Sequence, residues 1–577
     1  MASQDLEKIK KDIIKQFEAK TPKSKQHFEK AQKWLPGGGT RNIAYYYPYP
    51  FFITKGEGCY LEDVDGNKYI DILNNMTVLL HGHAHPKMVE KITEQVRNGT
   101  AHAAPMEVQY ELAKIICERT PSVEEIRFCN SGTEATMFAI RAARHFTKRN
   151  KIIKTDGGYH GSHDYVEVNI NSDLVSEGNP KPTVEKGVPE TILKDVYIVP
   201  YNNLEAAEKI MKKHHKEIAA MILEPVMGSA GGIIASIEYL KGLRELTKKY
   251  EILLIFDEVI TYRVTQGGMQ KLVGVTPDLT AFGKTIGGGL PVGAFGGRRE
   301  IIEQFNPTKK EYITHSGTFS GNAMTMVAGK IALDLYTEEE VKRLDELGKR
   351  FRKGLEEAMA SLGVTCTVGG IQSLNYMHFQ DHPPVNAKNL SFDTIPYLEL
   401  GKYLQIAMTI NGLYTVSRGV TAFILSTPMD EKVIDEIIER FKKSVEMVLP
   451  IYKDVTRYKG FAAIIYVMLK SLNLNKDFYK NHKEDNFSLL LVAKDDPYAV
   501  KVTFKSGKVE FEQIDNTPEN IKVAKKGCDS SIITTKPTFL GFGLGKIKPV
   551  GAILTGKLKI GGIKYILKFS KYFVYLK

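Results

Sequence analysis

The chain has 577 residues, more than one compact core accommodates, since single cores stop growing at roughly 250 to 300 residues. With 43% hydrophobic and 25% charged residues it reads as globular, not disordered. Its formal charge of +12 arises from 79 basic and 67 acidic residues interspersed over most of the chain, with lysines gathering after Lys536, which suits a solvated surface better than the clustered basic face nucleic acid requires.

The N-terminus, MASQDLEKIKKDIIKQFEAK, alternates charged and apolar residues with helical spacing and lacks the apolar run of a signal peptide. No stretch reaches the roughly 18 uninterrupted apolar residues of a membrane span. Five scattered cysteines (Cys59, Cys117, Cys129, Cys366, Cys528) include no C-x-x-C pair, against a disulfide framework and for a reducing compartment. A cytoplasmic protein is expected.

PGGGT and YYYPYP mark a loop, and FFITKGEGCYLEDVDGNKYIDI reads as short strands around a D-G turn. His81, His83 and His85 alternate as if on one side of a strand, a spacing that could hold a metal. No carboxylate partner is evident, and no metal is expected. From about Pro105 to Phe305 strands (IRFC, KIIKT, DVYIVP, AAMILEP, EILLIFD) alternate with amphipathic helices, which implies a parallel sheet covered on both faces. Ligands then bind beyond the carboxyl ends of the strands. Thr337 to Lys453 reads as a second, α+β lobe closed by the helix DEKVIDEIIERFKKSVEMVL. Beyond Lys453 the character changes: helical FAAIIYVMLKSL, a hairpin around Ser506-Gly507, helical TFLGFGLGKI, and strand-like GAILTGKLKIGG.

The residues after the strands carry the chemistry. Strand IRFC runs into Asn130-Ser131-Gly132-Thr133 and a helix, where exposed N–H groups and the helix dipole favour an anion; Ser131 or Thr133 serving only as a helix cap is the plainer alternative. Strand EILLIFD ends in Asp257-Glu258, and an acid leaving an apolar strand must be hydrated or meet a cation. Lys284 follows a short strand and precedes a run of glycines. FGKT is not a phosphate-binding P-loop, because Asp278 stands where that motif needs glycine. A lysine set among glycines and apolar residues is suited to lose its proton and form a Schiff base.

At these positions the sequence resembles the class III aminotransferases of fold type I. The motifs are NSGTEA (130–135), GGYHG (157–161), EPVMG (224–228), FDEV (256–259), FGKTIGGG (282–289) and HSGTFSGN (315–322), in the family's order and within about Lys30 to Val448. The resemblance implies an α/β fold with a large domain over about 75–336 and a smaller α+β lobe from 1–74 and 337–452. It implies pyridoxal 5′-phosphate as cofactor, bound covalently by Lys284, with Asp257 keeping the ring nitrogen protonated and Tyr159 stacking on the ring. Gly132 and Thr133 would bind the phosphate, Ser131, Glu224 and Val259 would complete the cofactor pocket, and Thr318 would reach the phosphate of a neighbouring subunit in a homodimer.

Within the family, PGGGTRNIAYYYPYPFFITKGEG (36–58) is most similar to the β-amino-acid aminotransferases, typified by β-phenylalanine aminotransferase. There the arginine of GG-x-TR, here Arg41, would bind a substrate carboxylate, and Arg418 would serve an α-keto acid such as 2-oxoglutarate or pyruvate. Arginine clamps a carboxylate through a bidentate pair. Glutamate-1-semialdehyde 2,1-aminomutase is the alternative, sharing FDEV, YHG and the lysine loop. Tyr45, Tyr46 and Tyr47 would line either the substrate pocket or a subunit interface.

Residues 453–577 read as a separate domain, and about Asn486 to Phe573 is similar to the sterol-carrier-protein-2 family, with TGKLKIGG its most recognisable piece. That resemblance implies a small α/β domain with a lipid or acyl ligand; a stability or dimerisation module is the plainer reading. A non-catalytic lipid-binding protein on an aminotransferase scaffold is the alternative of another class. Intact Lys284, Asp257, Tyr159 and Thr318 argue against it.

Overall fold

The computed structural model describes residues 3–417 and 419–576. Its central element is a seven-stranded sheet of β1 (Glu125–Cys129), β2 (Lys151–Thr155), β3 (Val196–Val199), β4 (Ile218–Leu223), β5 (Leu253–Asp257), β6 (Leu279–Gly283) and β7 (Gly293–Gly297), in the order β1-β7-β6-β5-β4-β2-β3. Only β7 runs against the others. Every residue of β4, β5 and β6 is buried, because helices cover both faces. Successive side chains go to opposite sides: Ile153, Met221, Leu254 and Phe256 pack into one core, and Ile152, Ile222, Leu253 and Ile255 into the other.

The covering helices form where apolar residues recur at helical spacing. In Ile237–Lys249 the buried Tyr239, Leu240, Leu243 and Leu246 make one stripe, and the Ser236 side chain caps the start by accepting from the Tyr239 N–H at 3.1 Å. Each such side chain contributes about 1.5 to 3 kcal/mol by leaving water.

The second lobe holds an antiparallel sheet of Thr367–Ile371, Leu374–His378 and Val420–Ile424. Against it pack the long helices Glu338–Ser361 and Glu431–Val455. The N-terminal helix Ser3–Lys20 lies on helix Leu398–Ile410. A meander, Ile53–Glu57, Tyr60–Asp63 and Lys68–Asp71, is joined in parallel by Leu413–Tyr414, so both chain segments assigned to this lobe meet there.

The C-terminal part forms its own five-stranded sheet in the order Lys508–Asp515, Tyr498–Lys505, Asn486–Ala493, Ser530–Thr534, Lys559–Gly561. Its core includes Phe461, Ile465, Phe487, Leu489, Val500 and Phe504. Lys470 ties it to the rest by pairing with Glu399 at 2.7 Å and Asp454 at 2.9 Å, and Glu177 accepts from the Thr535 and Thr538 hydroxyls, both at 2.9 Å.

Two local expectations are corrected. GAILTGKLKIGG is not one strand: Pro549–Leu554 is helical and only Lys559–Gly561 pairs, with Ser531–Ile533. A proline in the first turn pre-sets helical φ. The segment of His81, His83 and His85 is a turn, with Gly82 and Ala84 at φ +70° and +48°. His83 Nε2 does have a carboxylate partner, Asp71 at 2.7 Å, while His81 Nε2 is 2.8 Å from the Ala332 carbonyl. Among the described residues no group of three or more His, Cys, Asp or Glu could hold a metal, and no helix is long and apolar enough to cross a membrane.

Candidate active site

Beyond the carboxyl ends of the parallel strands lies a cavity of about 370 Å³. Ser131, Gly132 and Thr133 enter it after β1, Tyr159 and His160 after β2, Glu224 after β4, Asp257 and Val259 from the end of β5, and Lys284 from β6. Five separate segments converge because a parallel sheet delivers all its carboxyl ends to one rim.

Lys284 sits at φ +49°, a left-handed conformation rare for a residue with a side chain. Burial pushes its ammonium pKa down to about 8; the Glu224 and Asp257 carboxylates oppose the shift and the Arg263 cation adds to it. A minor but much enlarged fraction of the amine, about a tenth at pH 7, is therefore neutral and nucleophilic, where an ordinary lysine is almost wholly protonated.

Asp257 is held from two sides: Val259 N–H donates to Oδ1 at 3.1 Å and His160 Nδ1 lies 2.8 Å from Oδ2. A carboxylate only accepts, so Nδ1 carries the imidazole proton. Burial lowers the His160 pKa and keeps the ring neutral, while its Nε2 has no partner. Glu224 accepts from Tyr159 N–H at 3.0 Å and Gly228 N–H at 3.2 Å. Burial, reinforced by the negative Asp257, raises its pKa to about 8.

The loop after β1 opens the helix Gly132–Thr147, and the Ser131 hydroxyl accepts from the Glu134 N–H at 3.2 Å. The capping reading is therefore met, and the loop still presents its backbone to the cavity. Val259 is wedged between Gly132 and Gly283; a methyl group on either would lie within 3.1 to 3.2 Å of it. Thr133 Oγ1 accepts from the Ser162 N–H at 3.2 Å.

The cavity's chemistry fits pyridoxal phosphate: an amine readily deprotonated for the aldehyde, an oriented carboxylate for a ring nitrogen, and the start of a sixteen-residue helix for a phosphate. Tyr159, 39% exposed, lines the same space.

Two predicted residues stand apart. Arg41 is exposed outside the cavity, but its Nη1 donates to Asn75 Oδ1 at 2.8 Å, and Asn75 lines the cavity. Thr318 is exposed on the loop before helix Ala323–Leu335 and does not line this chain's cavity. Arg418 lies outside the described residues. Tyr45, Tyr46 and Tyr47 line a different cavity, of about 270 Å³, with Leu398 and Lys402.

The sequence reading missed three residues. His160 was visible only as the neighbour of Tyr159 in GGYHG. Asn75 belongs to a left-handed turn, Asn74–Thr77, with φ between +47° and +75°, a conformation that costs about 1 to 2 kcal/mol per residue. Arg263, fully buried, holds that turn by donating to the Thr77 carbonyl at 2.8 Å, and also bonds the Ser373 hydroxyl and the Leu425 carbonyl of the second lobe. Only asparagine's tolerance of left-handed backbone hinted at the turn.

Comparison with known proteins agrees with this geometry. Residues 44–445 match the family model described as aminotransferase class-III. The chain is 38% identical to a glutamate-1-semialdehyde 2,1-aminomutase of Methanocaldococcus jannaschii over 74% of its own length and 99% of that protein's. Two solved structures resemble it. An omega-transaminase from Sphaerobacter thermophilus has TM-score 0.70 and 38% identity, covering 74% of this chain and 98% of that one. A beta-phenylalanine aminotransferase from Variovorax paradoxus has TM-score 0.69 and 33% identity, covering 77% and 98%.

Proposed function

We propose that this chain, which belongs to the class III aminotransferases and so uses pyridoxal 5′-phosphate, moves an amino group between a β-amino acid and an α-keto acid such as 2-oxoglutarate or pyruvate by a ping-pong route. When bound, the cofactor supplies an aldehyde for the amine and a ring that withdraws electrons. Lys284 Nζ would hold the cofactor through that aldehyde and, once freed by the substrate amine, would take and return the proton at the substrate carbon. Asp257, oriented by His160, would keep the proton on the ring nitrogen. Gly132 and Thr133 would bind the phosphate, Tyr159 would stack on the ring, and Ser131, Val259 and Glu224 would complete the pocket.

The observation that carries the substrate reading is the hydrogen bond of Arg41, itself outside the cavity, to cavity-lining Asn75. A guanidinium outside the reaction centre suits a carboxylate set one carbon further from the amine than in an α-amino acid. Arg418 is assigned the carboxylate of the keto acid. Thr318, exposed and away from its own cavity, is assigned to the neighbouring subunit's phosphate in a homodimer. The C-terminal part is read as a sterol-carrier-protein-2-like domain over 453–577 with a lipid or acyl ligand.

The relatives named glutamate-1-semialdehyde 2,1-aminomutase support a second reading, movement of the amino group of glutamate-1-semialdehyde from carbon 2 to carbon 1. Purified protein incubated with β-phenylalanine and 2-oxoglutarate is expected to release glutamate. No glutamate there, with 5-aminolevulinate formed from glutamate-1-semialdehyde, replaces the first reading by the second.

A further inference from the structure

We propose that the C-terminal end of the chain is a docking face for an anionic phospholipid surface. No Asp or Glu follows Asp529, while nine lysines do, and no arginine follows Arg457. Three of these lysines are paired within the fold: Lys536 with Asp496, Lys557 with Glu177 and Lys568 with Asp485. Lys546, Lys548, Lys559, Lys564 and Lys571 are exposed and make no ion pair among the described residues.

Bare aliphatic side chains stand among them. In helix Ile563–Ser570 and the turn after it, Phe569 and Tyr572 are buried in the sheet's core. That anchoring turns Ile563, Leu567 and Val574 outward, 62%, 59% and 62% exposed, with Ile563 and Leu567 four apart on one side of the helix. Leu544, 61% exposed, follows Gly543, on which a methyl group would lie 3.8 Å from the ring of Phe573, the neighbour of Val574 in the chain. Leu554, in the next helix, is 82% exposed.

Charge and shape together select the occupant. A helix side with aliphatic residues flanked by lysines is what lies in a bilayer's headgroup region, the lysine stems covering apolar surface while their ammonium groups reach the phosphates. Nucleic acid would leave the leucines and isoleucines bare and would favour arginine and exposed rings; here the rings of Phe569 and Tyr572 face inward. The inference is independent of the amine substrate and of any ligand held inside the C-terminal part.

The test is flotation of the full-length holoenzyme with phosphatidylcholine vesicles, alone or with one third phosphatidylglycerol. Binding is expected to the mixed vesicles only, and to weaken at high salt as the charges are screened. K564E/K571E is expected to lower partitioning by at least about 25-fold, at roughly fivefold per lysine near the surface. I563Q/L567Q lowers it without changing charge. Both variants keep the cofactor's visible absorbance and turnover, which shows that they fold. Failure of the parent to float with anionic vesicles overturns the proposal, as does equal flotation of both variants. So does loss in the charge variant alone with release of vesicles by duplex DNA, which would mark a polyanion site.

Discussion

Gly161 is the most demanding position around the cavity. Its φ is +93°, and a methyl group there would lie 2.6 Å from Thr133 Cα and 2.8 Å from Thr133 Cβ. Carbon atoms rest at about 3.5 to 4.0 Å, so in G161A the two backbones must part by roughly 1 Å. Thr133 cannot rotate away, because the contact is with its main chain at the start of the helix. The backbone conformation adds about 1 to 3 kcal/mol of strain. A shift of that size removes Thr133 from a phosphate oxygen, and a hydrogen bond to a charged group contributes about 1.5 to 3 kcal/mol, so pyridoxal phosphate should bind about 10- to 150-fold more weakly. Titration of apoenzyme, followed by absorbance, measures this. G187A is the control, since Gly187 has φ +90° and nothing within 4 Å of a built methyl group; it should lose stability without losing cofactor affinity. Unchanged affinity in G161A, or an equal loss in both variants, would refute the packing argument.

The remaining predictions concern charge. In apoenzyme, Lys284 is neutral above about pH 8 and protonated below it, against 10.5 for an ordinary lysine. Capture of a small aldehyde should thus rise through pH 8 and then level off, and K284A should abolish it; a midpoint near that of a free lysine would show that burial does not set the amine's state. R41A should raise KM for a β-amino acid by about 10- to 100-fold through loss of a charge-assisted hydrogen bond, with kcat changed less, as for an interaction equal in ground and transition states. An unchanged KM would remove Arg41 from substrate binding. R263M leaves the Thr77 and Leu425 carbonyls without their donor, and each unmet buried group costs about 1 to 3 kcal/mol. A melting temperature equal to the parent's would mean that the left-handed turn does not need the arginine.

The alternation of strands and helices was legible because β4 and β5 are buried on both faces, so IAAMIL and LLIFD stand out as unbroken apolar runs between amphipathic helices. One helix cap was legible too: Ser131 does what serine before a helix does. GAIL was not, since four apolar residues satisfy a strand or a buried helix equally. The histidine turn was misread because period two predicts a strand only where φ stays negative, and Gly82 and Ala84 break it.

At the site, the sequence by itself determined the chemistry: a lysine after a strand, acids at a strand's end, and a Ser-Gly-Thr loop before a helix are local facts, each set by residues adjacent in the chain. Tertiary structure decided which groups act together. It turned Asp257 to the cavity and its neighbour Glu258 into the protein, where the Met269 and Gln270 N–H groups and the Thr261 hydroxyl donate to it. It set His160 behind Asp257, Asn75 beside Arg41, and the three tyrosines around another cavity. Those pairings join residues as far apart as 97 positions, and no periodicity or spacing in the chain encodes a contact that forms only when a parallel sheet gathers its strand ends on one rim.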